Sequence, residues 1–242
     1  MQLIVVHKVP EGLVLPLNYH HILQAVIYRN LGNAYGYSNF VHEIGFQSDN
    51  RKFRMFTFSL IQGKYQIIGK KIQFQDEISF EVRSPECFFI RQLADNIQRN
   101  GLTYGKQHFD DVGVYLMDDT VESEELYIRM KTPITVYLTD NVSKKTHFFH
   151  PLEEEFSELV ANNFFRKYKA YYGVEPEEPI WIRPVTITEK DSFATDYKGF
   201  HIKGWKGEYY LVGERKYLDF LYQTGLGSKN SQGFGMFDVI YC

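Results

Sequence analysis

The order of strand-like and helix-like segments is the feature that most constrains the fold of this chain. From the N-terminus, periodicity and capping patterns predict a strand at 2–8, a helix from Asn18 to about Leu31 and a short helical piece at 38–43. Extended stretches follow at 53–61 and on both sides of a turn at Gly69-Lys70. A second helix starts after Ser84-Pro85-Glu86 and ends at Gly101, and a strand follows at 107–117. The order is β-α-β-β-α-β, which is the ferredoxin-like arrangement.

The same order recurs in the second half of the chain. The acidic, turn-prone segment Asp118 to Glu125 is predicted to be a linker. After it the patterns predict a strand at 126–138 with a hairpin extension through Asp140-Asn141, a helix at 152–170, strands at 180–189 and about 197–212, a helix at 214–224 and a closing strand at 234–241. We therefore expect an α+β fold of two tandem ferredoxin-like (RRM-like) domains, residues 1–120 and 121–242.

Composition indicates a globular protein with a substantial core, since 44% of the residues are hydrophobic and 24% are charged. The only cysteines are Cys87 and Cys242, with no CxxC and no histidine at metal-ligand spacing. This argues against a zinc site or a disulfide framework and predicts a cytoplasmic location. The apolar run from Leu3 to Val6 is too short for a signal peptide, and no stretch is long enough to span a membrane. We therefore expect no membrane partner.

The net charge of −3 does not by itself indicate a nucleic-acid-binding protein. The charges are segregated, however, with acids at 118–125, 153–158 and 175–178 and bases at 51–54, 70–71, 166–169 and 203–216. A local basic face could hold a phosphate backbone despite the acidic total. The alternative is that these runs are solvated surfaces.

A glycine-rich loop lies between the last predicted helix and the last predicted strand, at 225–235. Its glycines let backbone N–H groups approach an anion, and the residues at its centre could reach phosphate oxygens. The loop is not a Walker motif, and it opens onto a strand, so nucleotide-cofactor sites are disfavoured. A flexible loop that ends a helix is the alternative. The predicted ligand-binding residues are Gly225, Gly227, Lys229, Asn230, Ser231, Gly233 and Gly235.

This loop, at the end of a second ferredoxin-like unit, resembles the signature of the RAMP superfamily of CRISPR-associated proteins. Within it the chain resembles the repeat-specific endoribonucleases that process precursor guide RNA. The N-terminal half carries that family's blocks in order, at Val14–Tyr19, Leu23–Tyr28, Phe40–Glu43 and Phe56–Ser59. The resemblance covers essentially the whole chain. It implies CRISPR repeat RNA as substrate, bound in part by the glycine-rich loop.

The resemblance also implies cleavage without a metal ion or other cofactor. The adjacent 2′-hydroxyl attacks the scissile phosphate, and the products are a 5′-hydroxyl and a 2′,3′-cyclic phosphate. The family's catalytic tyrosine and histidine fall on Tyr28 and His42. Its catalytic cation falls on Arg54 when the blocks are aligned without gaps, and Lys52, two residues earlier, is favoured if the loop shifts register; a guanidinium is a weaker proton donor than an ammonium. Histidine suits proton transfer near neutral pH, whereas tyrosine is a poor base and could orient the hydroxyl. His20 and His21 are the alternatives to His42.

Two other functions remain open at this point. One is a non-catalytic RNA-binding RAMP subunit of an interference complex, which His42→Ala would separate from an enzyme. The other is a small-molecule or metal-sensing module, which the Cys and His spacings do not support. Other Cas proteins of an interference complex and a second copy of the chain are open as partners.

Overall fold

The computed structural model describes residues 1–32, 45–48, 51–197 and 199–241. The predicted short helix at 38–43 lies outside the described residues. The helices within the described ranges are α1 (His20–Arg29), α2 (Cys87–Asn100), α3 (Glu155–Tyr172) and α4 (Arg215–Thr224). None of them is long and apolar enough to cross a membrane.

The first half of the chain builds one antiparallel sheet. Its strands are β1 (Gln2–Pro16), β4 (Thr57–Phe58), β5 (Gln62–Ile68), β6 (Lys71–Arg83) and β9 (Val112–Met117). The order across the sheet is β4-β6-β1-β9, and β5 also pairs with β6. Two small hairpins stand beside it, formed by β2 (Phe46–Ser48) with β3 (Arg51–Phe53) and by β7 (Leu102–Tyr104) with β8 (Gln107–Phe109).

The second half builds a sheet of the same topology. Its strands are β10 (Glu125–Met130), β13 (Trp181–Thr186), β16 (Glu208–Val212) and β17 (Phe237–Tyr241), in the order β13-β16-β10-β17. Hairpins of β11 (Tyr137–Thr139) with β12 (Thr146–Phe148), and of β14 (Ser192–Tyr197) with β15 (Phe200–Trp205), are added to it. In both sheets the first and third strands of the β-α-β-β-α-β order are central, as the ferredoxin-like arrangement requires. The predicted fold class is confirmed.

Each sheet buries one face against its own two helices. In the first unit, Leu23 and Ile27 of α1 and Leu93 of α2 are fully buried in a core shared with the sheet. A second core joins α3 and α4 to the second sheet. The apolar stripes of the helices therefore face the sheets, as their periodicity predicts.

Several predicted boundaries differ from the structure because turns interrupt what the sequence presents as continuous strands. The stretch predicted as one strand at 197–212 belongs to β14, β15 and β16, separated by turns at Gly199 and Gly207, both with positive φ. The predicted strand at 126–138 ends at Met130, and the one at 53–61 is reduced to β4 and the end of β3.

The predicted helix cap is also different. Tyr19, not Asn18, is the N-cap of α1. The side chain of Asn18 instead donates a hydrogen bond to the carbonyl of Asp196, 3.0 Å away in the second half of the chain. A tertiary contact has therefore replaced the local one.

A buried ion cluster connects the two sheets. Arg83 of β6 is 1% exposed, and its guanidinium bonds Glu81, the carbonyl of Phe237 (2.6 Å) and the carboxylate of Asp238 (3.0 Å). Lys131 adds a second cation, 2.7 Å from Glu81. Because buried charges are tolerated only when they are paired, this cluster fixes how β6 meets β17.

Candidate functional site

A cleft of about 330 Å³ lies between the β2–β3 hairpin of the first unit and the glycine-rich loop of the second. The residues that line it are Arg51, Lys52, Phe53, Arg54, Tyr137, Asn163, Lys167, Gly227, Ser228, Lys229, Asn230, Ser231 and Gln232. Five of these are basic, and no acid is among the described lining residues. The cleft therefore favours an anionic ligand.

Helix α1 holds the centre of the glycine-rich loop against the first unit. The carboxamide of Gln24 donates a hydrogen bond to the carbonyl of Ser231, and the hydroxyl of Tyr197 in β14 donates one to the other end of that carboxamide. One turn further along α1, Tyr28 is hydrogen-bonded to the hydroxyl of Ser231. Gln24 and Tyr28 lie at i and i+4, so one face of α1 contacts both the backbone and the side chain of Ser231.

Tyr28 is half-buried, and its ring packs edge-on against Phe56 at a centroid distance of 5.8 Å. Burial raises the pKa of Tyr28 to about 12, although the charge of Arg54 and the hydrogen bond with Ser231 act in the opposite direction. The phenol therefore keeps its proton at neutral pH. In this state it can orient or donate to a substrate group, but it cannot serve as an efficient base.

The two candidate cations both line the cleft. Lys52 is exposed in β3, and Arg54 is half-buried just after that strand. Burial raises the pKa of Tyr197, as it does that of Tyr28, and the charge of Arg54 acts against both shifts. Arg54 therefore lies on the Tyr28 side of the cleft.

The base of the glycine-rich loop is built around a buried amide and a buried amine. Asn230 is 8% exposed, and its Nδ2 donates to the carbonyls of Leu226 (2.9 Å) and Phe234 (3.1 Å). Lys167 of α3 is 1% exposed and donates to the carbonyl of Gly225 and to Oδ1 of Asn230 (3.2 Å). Desolvation lowers the pKa of Lys167 to about 7. The carboxamide of Asn230 is thus used within the loop, so its predicted reach to a phosphate oxygen does not fit this geometry.

The glycines of the loop are required by packing. A Cβ on Gly225 would lie 2.7 Å from Nδ2 of Asn230, and one on Gly235 would overlap the carbonyl oxygen of Leu226. Both residues have positive φ and are buried, as is Gly233, which packs on Phe58. Direct contact with a ligand through these glycines stays a prediction. The described geometry exposes Ser228, Lys229, Ser231 and Gln232 to the cleft instead.

Of the three candidate histidines, His20 and His21 are among the described residues and His42 is not. His20 is buried, its Nδ1 donates to the carbonyl of Gln232 (3.0 Å), and its ring stacks on Phe234. Burial lowers the pKa of His20 to about 4, so at neutral pH it is uncharged and has no acidic proton to give. His21 is half-buried beside Tyr197. His42 lies outside the described residues.

Metal ligation has no obvious site in the part of the chain that the structure covers. There, no three or more His, Cys, Asp or Glu side chains are grouped closely enough to hold an ion.

Sequence reasoning missed Lys167, Asn163, Tyr137 and Tyr197. A usable signal exists for the first two, because Asn163 and Lys167 continue the stripe that Phe156 and Val160 begin on the inward face of α3. Polar side chains on an apolar stripe indicate buried groups with specific partners. Tyr137 and Tyr197 lie in added hairpins, where no local pattern marks them.

Solved structures with the same architecture are CRISPR-associated proteins. A Cas6-related protein from Pyrococcus furiosus superposes with a TM-score of 0.81 at 20% identity, covering 99% of this chain and 98% of that one. A structure described as CRISPR associated protein Cas6 gives 0.77 at 21% identity, with 99% and 98% covered, and a RAMP protein described as binding different RNA substrates gives 0.79 at 19%, with 99% of both. The fold is thus the tandem ferredoxin-like fold of RAMP proteins.

Sequence comparison specifies the family. The family described as CRISPR associated protein Cas6, C-terminal, matches residues 116–239, which is just over half of the chain. This chain belongs to the Cas6 family. The curated endoribonuclease Cas6 1 of Methanocaldococcus jannaschii is 28% identical over 236 residues, covering 92% of this chain and 86% of that one. The endoribonuclease Cas6 of Pyrococcus furiosus is 24% identical over 237 residues, with 93% and 83% covered. The family resemblance stated from the sequence is confirmed.

Proposed function

We propose that this chain is an endoribonuclease that cuts CRISPR repeat RNA in precursor transcripts, by attack of the 2′-hydroxyl and without a metal ion. Membership of the Cas6 family and the names of the two curated relatives support the reaction class. The observation that carries the proposal is the basic cleft, which Arg54 of the first unit and Ser231 of the second both line, with Tyr28 hydrogen-bonded to Ser231.

The division of roles follows from the chemistry of each group. The guanidinium of Arg54 and the ammonium of Lys52 stabilise the charge that develops on the phosphorane, since both line the cleft. Tyr28, which retains its proton, donates a hydrogen bond that orients the RNA. His42 supplies proton transfer, because an imidazole is the side chain that exchanges protons near neutral pH.

The glycine-rich loop is proposed to hold the RNA backbone through its exposed centre. Lys229 is half-exposed in the cleft, with its Nζ 4.9 Å from the centre of the Tyr137 ring. It is the loop's only cation, so it is the member suited to a phosphate contact. We also propose that the two units divide near residue 120, with the catalytic residues in the first and this loop in the second.

The test is single-turnover cleavage of repeat RNA in EDTA, with the purified chain in excess over RNA. We expect cleavage to products with 2′,3′-cyclic phosphate ends and a complete block when the nucleotide at the cut carries a 2′-deoxyribose. His42→Ala and Arg54→Ala should slow cleavage while RNA binding is kept. Intact RNA at stoichiometric wild-type protein would reject the proposal, and binding without cleavage would instead indicate a non-catalytic RNA-binding subunit.

A further inference from the structure

Among the residues that the structure describes, two carboxamides that line the cleft have oxygens without a hydrogen-bond partner. Asn163 of α3 is 7% exposed, and its Oδ1 is buried with no partner, while its Nδ2 lies 3.5 Å from the hydroxyl of Ser228. The Oε1 of Gln232 is likewise buried without a partner. Both residues belong to the lining of the same cleft. Buried acceptors are normally satisfied, so a pair of unsatisfied ones in a cleft points to a ligand that brings donors.

The wall beside Asn163 is aromatic. Tyr137 of β11 is half-exposed, it lines the cleft, and its ring packs against Phe148 at a centroid distance of 5.5 Å. The ammonium of Lys229 lies over the ring. An aromatic face next to a cation is the arrangement on which unpaired bases stack.

The unpaired amide oxygens of Asn163 and Gln232 disfavour a phosphate at their side of the cleft. A phosphate oxygen is an acceptor, and placing it against the amide oxygens of Asn163 and Gln232 would set acceptor against acceptor. A group with N–H or O–H donors suits these oxygens, and the ring of Tyr137 in the same lining favours a flat group such as a nucleobase. The volume of about 330 Å³ is at the low end for small-ligand pockets and suits one nucleotide unit, not a duplex.

We propose that Tyr137, Asn163, Ser228 and Gln232 form a nucleobase pocket that takes one unpaired base of the RNA, near the phosphate held by Lys229. Tyr137 stacks on the base, and the two amide oxygens accept hydrogen bonds from its edge. Asn163 and Gln232 thereby hold the base through its amino or imino protons. This inference rests on the proposed function, because it assigns part of the RNA to the same cleft.

The experiment measures binding, so that it does not depend on cleavage. The probe is fluorescently labelled repeat RNA from the same genome's CRISPR array, with 2′-deoxyribose at the cut. In a series of such RNAs each nucleotide around the cut is replaced in turn by an abasic residue, and Kd is measured by anisotropy at fixed salt. With wild-type protein we expect one abasic position to weaken binding by about tenfold or more.

The variants locate the base that is read. In Asn163→Ala and in Tyr137→Leu, removal of that one base should raise Kd by less than about threefold, because the substitution has already removed a contact of the protein with that base. The matched control is Asn162→Ala, on the exposed side of the same helix, which should keep the wild-type profile. Gln232→Ala, at a half-exposed position, repeats the test if Asn163→Ala does not fold.

The outcomes separate the two proposals. If the wild-type protein cleaves the RNA but the Asn163, Tyr137 and Gln232 variants keep the wild-type abasic profile, the base pocket is wrong and the proposed function stands. A wild-type profile with no sensitive position also overturns the base pocket. Failure of the wild-type protein to bind the repeat RNA at all overturns both the pocket and the proposed function.

Discussion

Lys167 should make the stability of this protein rise with pH through the neutral range. Its ammonium is fully buried in α3, bonded to the carbonyl of Gly225 and to Asn230, and no carboxylate is among the causes that set its pKa. Desolvation therefore disfavours the charged form and lowers the pKa from 10.5 to about 7. The unfolded chain, in which this lysine titrates normally, holds more protons than the folded chain between these two values.

The magnitude follows from that difference. Folding is penalised in full below the folded pKa, and the penalty disappears as pH rises towards 10.5. For a group that titrates near 7 when folded, about 4 kcal/mol of penalty at pH 7 falls to about 2 kcal/mol at pH 9. The protein should thus gain about 2 kcal/mol of unfolding free energy from this one lysine over two pH units.

The assay is urea denaturation of the wild-type protein and Lys167→Met at pH 7 and pH 9. Methionine removes the charge but leaves two buried acceptors unpaired, at about 1–3 kcal/mol each. The two effects oppose each other at pH 7, so the proteins should be similar there. The unfolding free energy of the wild-type protein minus that of Lys167→Met should be about 2 kcal/mol larger at pH 9 than at pH 7.

Taking the difference between wild type and variant removes the contribution of every other titrating group. Lys169→Met is the matched control, since Lys169 lies two residues further along α3 in a partly exposed ion pair with Glu175, 2.7 Å away. Its difference from wild type should not change between pH 7 and pH 9. A constant difference for Lys167→Met as well would refute the reasoning, because the amine would then have an ordinary pKa and could not be desolvated.

Three further predictions concern the buried residues His20, Gly235 and Arg83. Burial lowers the pKa of His20 to about 4, so the folded protein resists the protonation that the unfolded chain accepts below pH 6.5. The unfolding free energy should therefore fall by about 3 kcal/mol between pH 7 and pH 4, and His20→Phe should remove this loss in denaturation curves. Gly69→Ala should destabilise the protein by roughly 1 kcal/mol, and Gly235→Ala by well over that. Both glycines have positive φ, but only at Gly235 would the new Cβ overlap other atoms. Thermal melts compare the two variants, and equal losses of stability would contradict the prediction. Arg83→Leu should cost about 3–5 kcal/mol of stability, because Glu81 then keeps Lys131 as its one described cation. The double variant with Glu81→Leu should recover part of this loss, and additive losses in urea melts would argue against the buried ion cluster.

The order of the elements was predictable because it is a local property. Strand and helix periods are visible within ten to fifteen residues, and the pairing of the β-α-β-β-α-β units follows once that order is known. The boundaries that differ are those where a turn lies inside an apolar run. Gly199 and Gly207 mark two of these turns, where φ is positive, and the glycines themselves were the signal available in the sequence within 197–212.

The site was predictable only in part, for a physical reason. The resemblance drew attention to Tyr28 and to Ser231, but their hydrogen bond joins residues about two hundred positions apart, and no local pattern encodes such a contact. The same holds for Gln24, whose backbone contact with Ser231 fixes the loop against α1. His42 lies outside the described residues, so its place beside this pair stays a prediction.

The glycine-rich loop has a packing role in addition to the ligand-binding role that its motif predicts. Closely spaced glycines predict a loop whose backbone approaches an anion. In the structure, Gly225 and Gly235 bring two stretches of the loop together around Asn230, and Lys167 holds that arrangement from the opposite side. The glycines therefore make room for the protein's own amide and amine. The side chains of Ser228, Lys229, Ser231 and Gln232 line the cleft, so we expect substitutions at Gly225 and Gly235 to lower stability first and RNA affinity only as a consequence.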